Sequence, residues 1–223
     1  MITKPTMSFL RPTSTPLAAL AALTVIAVLA FPFIWEPVLR AAGWALVIKE
    51  HVAPADIIVV SLDSGGALAL EAADLVQSGI APQVAVFTDP PDEADREFIR
   101  RGLPYEDASA AQIRHLRWLG VTDVMQISRT DVEIEGESQV LPAWCDRHQF
   151  RSIVFVAARG DSRRARRLLD RAMKGHPTRV IVQPTRYSSF DPDHWWETRD
   201  GIREEIIQLQ KLVLDVILHS MSF

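Results

Sequence analysis

Asp56-Ile57-Ile58-Val59-Val60-Ser61-Leu62, followed directly by Asp63-Ser64-Gly65-Gly66, is the stretch on which the fold reading turns. A short continuous run of β-branched residues, with no alternation of polar and apolar, fits a strand covered on both faces, as in a parallel sheet. The Asp-Ser-Gly-Gly break then lets the chain reverse, and Ala67–Ser78 reads as a helix closed by Gly79. Strand, tight turn and helix in that order are the opening of a βαβ unit.

The same alternation repeats towards the C-terminus. Gln83–Thr88 reads as a second strand, followed by an acidic loop over Asp89–Asp95 and helical segments at Glu93–Arg101 and Asp107–Leu119. Asp123–Ser128 is the third strand and Glu135–His148 a helix that Pro142 kinks unless it sits near the first turn. Ser152–Ala158, the basic helix Ser162–Lys174, the strand Arg179–Gln183 and a long helix over Trp195–Leu218 complete the pattern. Five strands separated by helices predict an α/β fold: a Rossmann-like open parallel sheet with flanking helices.

Towards the N-terminus the character changes. Leu17–Trp35 is a 19-residue run without a charge, about 28 Å long as a helix and close to the thickness of bilayer hydrocarbon. The expected organisation is a tail over 1–16, a transmembrane anchor over 17–39, a juncture over 40–54 and an α/β domain over 55–223. Lys4 and Arg11 before the run weakly favour a single-pass topology with the domain outside the cytoplasm. A cleaved signal peptide is the alternative, with small residues around Val28-Leu29-Ala30. The segment Ala41–Ile48 is apolar enough either to lie on a membrane or to pack on the domain.

Composition excludes several classes. The 223 residues are 48% hydrophobic and 23% charged, ordinary globular values. Lys and Arg number 24 against 28 Asp and Glu, so net charge of -4 gives no global pull towards nucleic acid. The single Cys145, expected in the core of a helix, rules out an intrachain disulfide and multi-cysteine metal sites. There is no GxGxxG fingerprint, Walker A loop or Gly-x-Ser-x-Gly elbow, and no cofactor is indicated.

In open α/β sheets, ligands sit beyond the carboxyl ends of the strands, so the candidates are the residues expected there. After the first strand these are Asp63, Ser64, Gly65 and Gly66, two of them glycines that let backbone approach a ligand. After the third are Ser128, Thr130, Asp131 and Glu133; the last two are candidate acid, base or metal-binding carboxylates. Glu135 and Glu137 are read instead as first-turn residues complementing a helix dipole.

After the fourth strand, Asp161 is a third candidate catalytic carboxylate, and Asp161 or Ser162 a natural N-cap. Arg159–Lys174 holds seven basic and two acidic residues. Arg163 and Arg164, in the first turn, are placed to grip phosphate or carboxylate bidentately. Beyond the fifth strand, His194 and Trp195 are candidates for a pocket wall, although Trp195 and Trp196 equally suit pinning the last helix to the sheet. His194 has no partner at metal-ligand spacing, so no metal site is expected.

In order, these landmarks resemble the SanA/YdcF-like (ElyC/SanA/YdcF) family of bacterial envelope proteins. The resemblance rests on Ala55–Val60, Glu71–Gly79, Trp118-Leu119-Gly120-Val121, Ser128–Glu135, Arg163-Arg164-Ala165 and Trp195-Trp196. It departs in the shortened glycine turn after the first strand and in a Ser-x-x-Thr-x-Glu-Asn type segment whose nearest equivalents are Thr130 and Glu133. Asp161 stands where relatives carry a His, three residues before the arginine matched by Arg164. The resemblance implies a Rossmann-like domain at the outer face of the inner membrane, linked to envelope or carrier-lipid metabolism. Its expected partners are membrane lipid, through the N-terminal helix, and an anionic small molecule such as a polyprenyl phosphate. One branch of the family is associated with adenosylmethionine.

Overall fold

The computed structural model describes residues 35–62, 66–129 and 134–220. The chain divides into two units between Ala41 and Ala42, and the sheet belongs to the second. Of the expected anchor, residues 17–34 lie outside the described residues. No helix among the described residues is long and apolar enough to cross a membrane.

A helix, α1, is described over 35–45. The sheet then forms from β1 (Ile57–Val60), β2 (Val84–Thr88), β3 (Val124–Ser128), β4 (Ser152–Ala157) and β5 (Arg179–Pro184), all parallel and in the order β3-β2-β1-β4-β5. The connecting helices are α2 (Ala67–Gln77), α3 (Glu93–Arg100), α4 (Ala108–Trp118), α5 (Ile134–His148) and α6 (Ser162–Ala172), and α7 (Arg199–Ser220) ends the chain. The Rossmann-like reading holds: strand order reverses between β1 and β4, which makes the crevice beyond their carboxyl ends the switch point.

The unalternating strands are explained by two cores. Ile58, Val60, Val84, Val86, Val154 and Val156 face α2 and α4, with Leu68, Leu75 and Leu116 packed against them. Ile57, Val59, Phe87, Ile153 and Phe155 face the other way, onto Leu141, Trp144 and Cys145 of α5 and Leu169 of α6. Every residue of β1 is fully buried, and each Val or Ile so placed contributes roughly 1.5–3 kcal/mol. Cys145 packs in the second core, where burial pushes its thiol up to about 11.

One open alternative is decided and one expectation is revised. Leu46 and Val47 pack on the domain, in a third cluster with Phe190 and Leu212 that Trp44, Trp195 and Leu209 flank. The long C-terminal helix does not begin at Trp195. A single 3-10 turn, Trp195–Glu197, ends at Thr198, which is extended (φ -124°, ψ 146°). Its hydroxyl then accepts from Gly201 N at 3.0 Å, so Thr198 caps α7, a local signal that outweighs the helix propensity of the preceding residues.

Candidate functional site

The carboxyl ends of β1, β3 and β4 bring together four ionisable side chains: Arg129, Glu137, Asp161 and Arg164. Arg129 follows β3 and is almost completely enclosed, with 3% of its side chain exposed. It donates from Nη1 to Glu137 Oε1 at 2.9 Å and also pairs with Asp89 beyond β2. Glu137, on the first turn of α5, is equally enclosed, at 2%. Its Oε1 also accepts the backbone N–H of Leu62 at 3.1 Å, so it ties the end of β1 to α5. Its Oε2 has no hydrogen-bond partner among the described residues.

Burial dominates the electrostatics of Glu137. Loss of water raises its carboxyl to about 7, against the opposing pull of the Leu62 N–H, the Ser61 hydroxyl and the Arg129 charge, while Asp161 adds to the rise. Asp161, in the 3-10 turn Arg159–Asp161 after β4, is raised to about 6 by the same desolvation. Arg164 and Lys211 favour its charged form and Glu204 opposes it. Arg164 is buried on the first turn of α6, its Nη1 3.6 Å from Asp161 Oδ1. Two carboxyls raised towards neutrality beside two buried arginines can exchange a proton near pH 6–7 or accommodate an anion's charge.

Asp161 makes no capping bond to the helix. Ser162 is also committed elsewhere: its hydroxyl donates to Arg159 O at 2.8 Å and accepts from Ile48 N at 3.1 Å. Arg163 is turned away from the strand ends. Its Nε donates to Ala45 O at 2.6 Å, and its Nη2 to Val47 O at 2.8 Å and Trp44 O at 3.3 Å. It satisfies carbonyls at the end of α1, at 44 and 45, which a helix end leaves without intrahelical partners, and that of Val47 just beyond. Arg164 alone of the two early arginines stays at the strand ends.

Trp195 has a packing role. Gly43 lies so close that a Cβ there would stand 2.7 Å from Trp195 Cδ1 and overlap Pro192 O, so the loop after β5 is locked against the last turn of α1. His194 is exposed and its Nδ1 lies 2.9 Å from Asp191 Oδ2. Ser128 ends β3 opposite Thr88 and is exposed. Gly66 begins α2 with φ 81°, a left-handed conformation that favours glycine, and lines a cleft of about 250 Å³ with Leu70, His115 and Trp118. Asp63, Ser64, Gly65, Thr130, Asp131 and Glu133 lie outside the described residues. No cluster of three or more His, Cys, Asp or Glu side chains suited to a metal ion occurs among the described residues.

Sequence reasoning gave Glu137 a role at the helix dipole; its partnership with Arg129 was not visible in it. The only signal was an Arg before the loop and a Glu eight positions later, within a run of other carboxylates. Glu71 was likewise overlooked. It is buried on α2 and accepts from Gln183 Nε2 at 3.1 Å and from Arg186 N at 3.0 Å, holding the end of β5 against α2.

No protein-family model matches this sequence, and no curated protein matches it. Among solved structures, a universal stress protein from Archaeoglobus fulgidus is similar over 57% of this chain and 92% of its own, with 13% identity and a TM-score of 0.36. The U34-tRNA thiolase NcsA from Methanococcus maripaludis, a protein with a [4Fe-4S] cluster, is similar over 77% of this chain and 63% of its own, with 8% identity and a TM-score of 0.34.

Proposed function

We propose that the domain binds a phosphorylated or otherwise anionic small molecule in the crevice beyond β1 and β4, and does so at the bacterial inner membrane. The observation that carries this reading is Arg164: a buried guanidinium at the switch point of a parallel sheet, on the first turn of a helix. Helix N-termini and arginine favour the same ligand charge. The uncharged Leu17–Trp35 run supports the membrane location, with the domain outside the cytoplasm. The family resemblance supports envelope or carrier-lipid metabolism, with a polyprenyl phosphate as the leading ligand.

A second reading is favoured by the raised carboxyls of Glu137 and Asp161. Groups that titrate near neutrality are suited to general acid–base work, so a hydrolase or transferase acting on the same anionic ligand uses Asp161 beside Arg164.

The test is a thermal-shift series on the full chain in detergent, with short polyprenyl phosphates, nucleotides, adenosylmethionine and divalent metals. A ligand at a hundred times its dissociation constant adds about 2.7 kcal/mol. Arg164→Ala removes a charge-assisted contact and weakens anion affinity about ten- to hundredfold. Arg164→Lys serves where the Ala variant does not fold. Unchanged affinity in folded variants removes Arg164 from the site. No shift with any ligand favours a non-catalytic interaction module.

A further inference from the structure

We infer that α7 lies on the membrane surface and seats the domain in the headgroup region of an anionic bilayer. This rests on the membrane location proposed above and adds to it the face that meets the lipid.

Helix α7 buries only a narrow stripe against the domain: Gly201, Glu205, Leu212 and Asp215. Ile202, Ile206, Val213, Val216 and Ile217 are all exposed. At 3.6 residues per turn these five fall within an arc of about 100°, so they form a continuous apolar band along the helix. Leu214 widens it. Soluble monomers rarely leave so long a band of large aliphatic side chains in water.

The charges on α7 are sorted. Arg199, Arg203 and Lys211 are exposed, whereas Glu205 and Asp215 are buried and Glu204 is half-buried. Asp215 is held inward by Arg167 and Arg171 of α6. Asp200 is the one exposed acid of the helix. An aliphatic band bordered along one edge by Arg199 and Arg203 is what an interfacial helix presents to anionic lipid. A second copy of the chain suits it less, because two such faces bring like charges together.

Position in the domain favours the same partner. Leu209 and Leu212 of α7 pack in one cluster with Trp44, Leu46 and Val47, at the start of the compact unit. The chain therefore joins the domain beside α7. The uncharged run ends at Trp35 and the unit begins at Ala42. Even fully extended, residues 36–41 span no more than about 20 Å. A bilayer that holds the run therefore meets the chain no more than about 20 Å from Ala42.

The experiment uses the full chain reconstituted in phosphatidylcholine vesicles with and without phosphatidylglycerol. A polarity-sensitive fluorophore is placed on Ile206→Cys or Val213→Cys, with Arg117→Cys, exposed on α4, as reference; the fully buried Cys145 does not compete for label. Lipids carrying a spin-label quencher near the headgroup should reduce emission at 206 and 213 several-fold more than at 117, and more strongly with phosphatidylglycerol present. Vesicle flotation of the same samples separates the two readings. Flotation with no preferential quenching overturns the seating of α7 and leaves the membrane location standing. Failure to float overturns both. Cross-linking between copies at position 206, with the label shielded but not quenched, assigns the band to a second copy and also overturns the inference.

Discussion

Arg129 and Glu137 form an ion pair from which water is excluded, with Nη1 2.9 Å from Oε1 and 3% and 2% of the side chains exposed. It joins the end of β3 to α5, and through the Leu62 N–H it reaches the end of β1. A buried pair contributes less net stability than its Coulomb attraction suggests, because both charges lose their hydration. Removing one member is far more costly than removing both.

Arg129→Met should therefore destabilise the protein by up to about 3–5 kcal/mol above pH 7, where Glu137 is ionised, because Glu137 and Asp89 both lose their guanidinium partner. Glu137→Gln in the same chain should recover a large part of that loss, since a neutral amide keeps the Leu62 hydrogen bond without the charge. Urea unfolding of the two single variants and the double variant measures the coupling. Additive single losses would show that the two groups do not act as a pair.

Glu205 offers a sharper test because its carboxylate has no compensation among the described residues. It is 2% exposed, neither oxygen has a hydrogen-bond partner there, and desolvation alone raises it from 4.5 to about 7. The folded state holds this proton more tightly than the unfolded state, so its stability is full below about pH 4.5 and falls as pH rises to about 7. The contribution is on the order of 3 kcal/mol. Glu205→Gln should raise Tm at pH 8, change it little at pH 4.5 and flatten the slope between. An unchanged slope would place the carboxylate in water.

Much of this architecture is legible in the sequence because burial on both faces leaves a direct imprint. Ile57–Val60, Val84–Thr88 and Ser152–Ala157 read as strands since neither face meets solvent; the last two fall within one residue of their expected spans, and the first ends two residues early. The site is less legible. Arg163 and Arg164 are adjacent in sequence, yet about 100° apart around a helix, so one caps α1 and the other faces Asp161. Glu137 is one of several acids in a run, and only the packing of α5 on the sheet turns it inward. The break before α7 depends on the Thr198 hydroxyl, a single-residue signal that two tryptophans obscure.

The role given to Arg163 predicts a variant with a structural phenotype alone. Arg163→Ala removes a donor from three carbonyls, at 44, 45 and 47, of which Trp44 O keeps the Val47 N–H. Each lost charge-assisted bond is softened by water at this half-exposed position, so about 1–2 kcal/mol in total is expected. Arg163→Lys should recover little, because one ammonium cannot span three acceptors as a planar guanidinium does. Hydrogen exchange should accelerate at residues 46–48 while anion affinity stays the same. Lost affinity with unchanged exchange would return Arg163 to the site.

Asp161 should make anion binding pH-dependent, with a definite sign. Its carboxylate sits 3.6 Å from Arg164 and competes for the charge that an incoming anion needs. Above about pH 6 Asp161 is ionised and offsets part of the Arg164 charge; below that it is protonated and no longer does so. Affinity for an anion of constant charge, such as a phosphodiester, should therefore tighten as pH falls from 8 to 5, by about tenfold if binding raises the Asp161 carboxyl by one pH unit. Glu137 also titrates in this range, at about 7, so Glu137→Gln is needed to assign the effect. Glu204 and Lys211 act on Asp161 in opposite directions and set the midpoint. Asp161→Asn should bind as tightly at pH 8 as the native chain does at pH 5, with little slope. Calorimetric titrations across this range decide the matter: a native affinity that does not change with pH would separate Asp161 from the anion site, and a slope surviving in Asp161→Asn but lost in Glu137→Gln would transfer the role to Glu137.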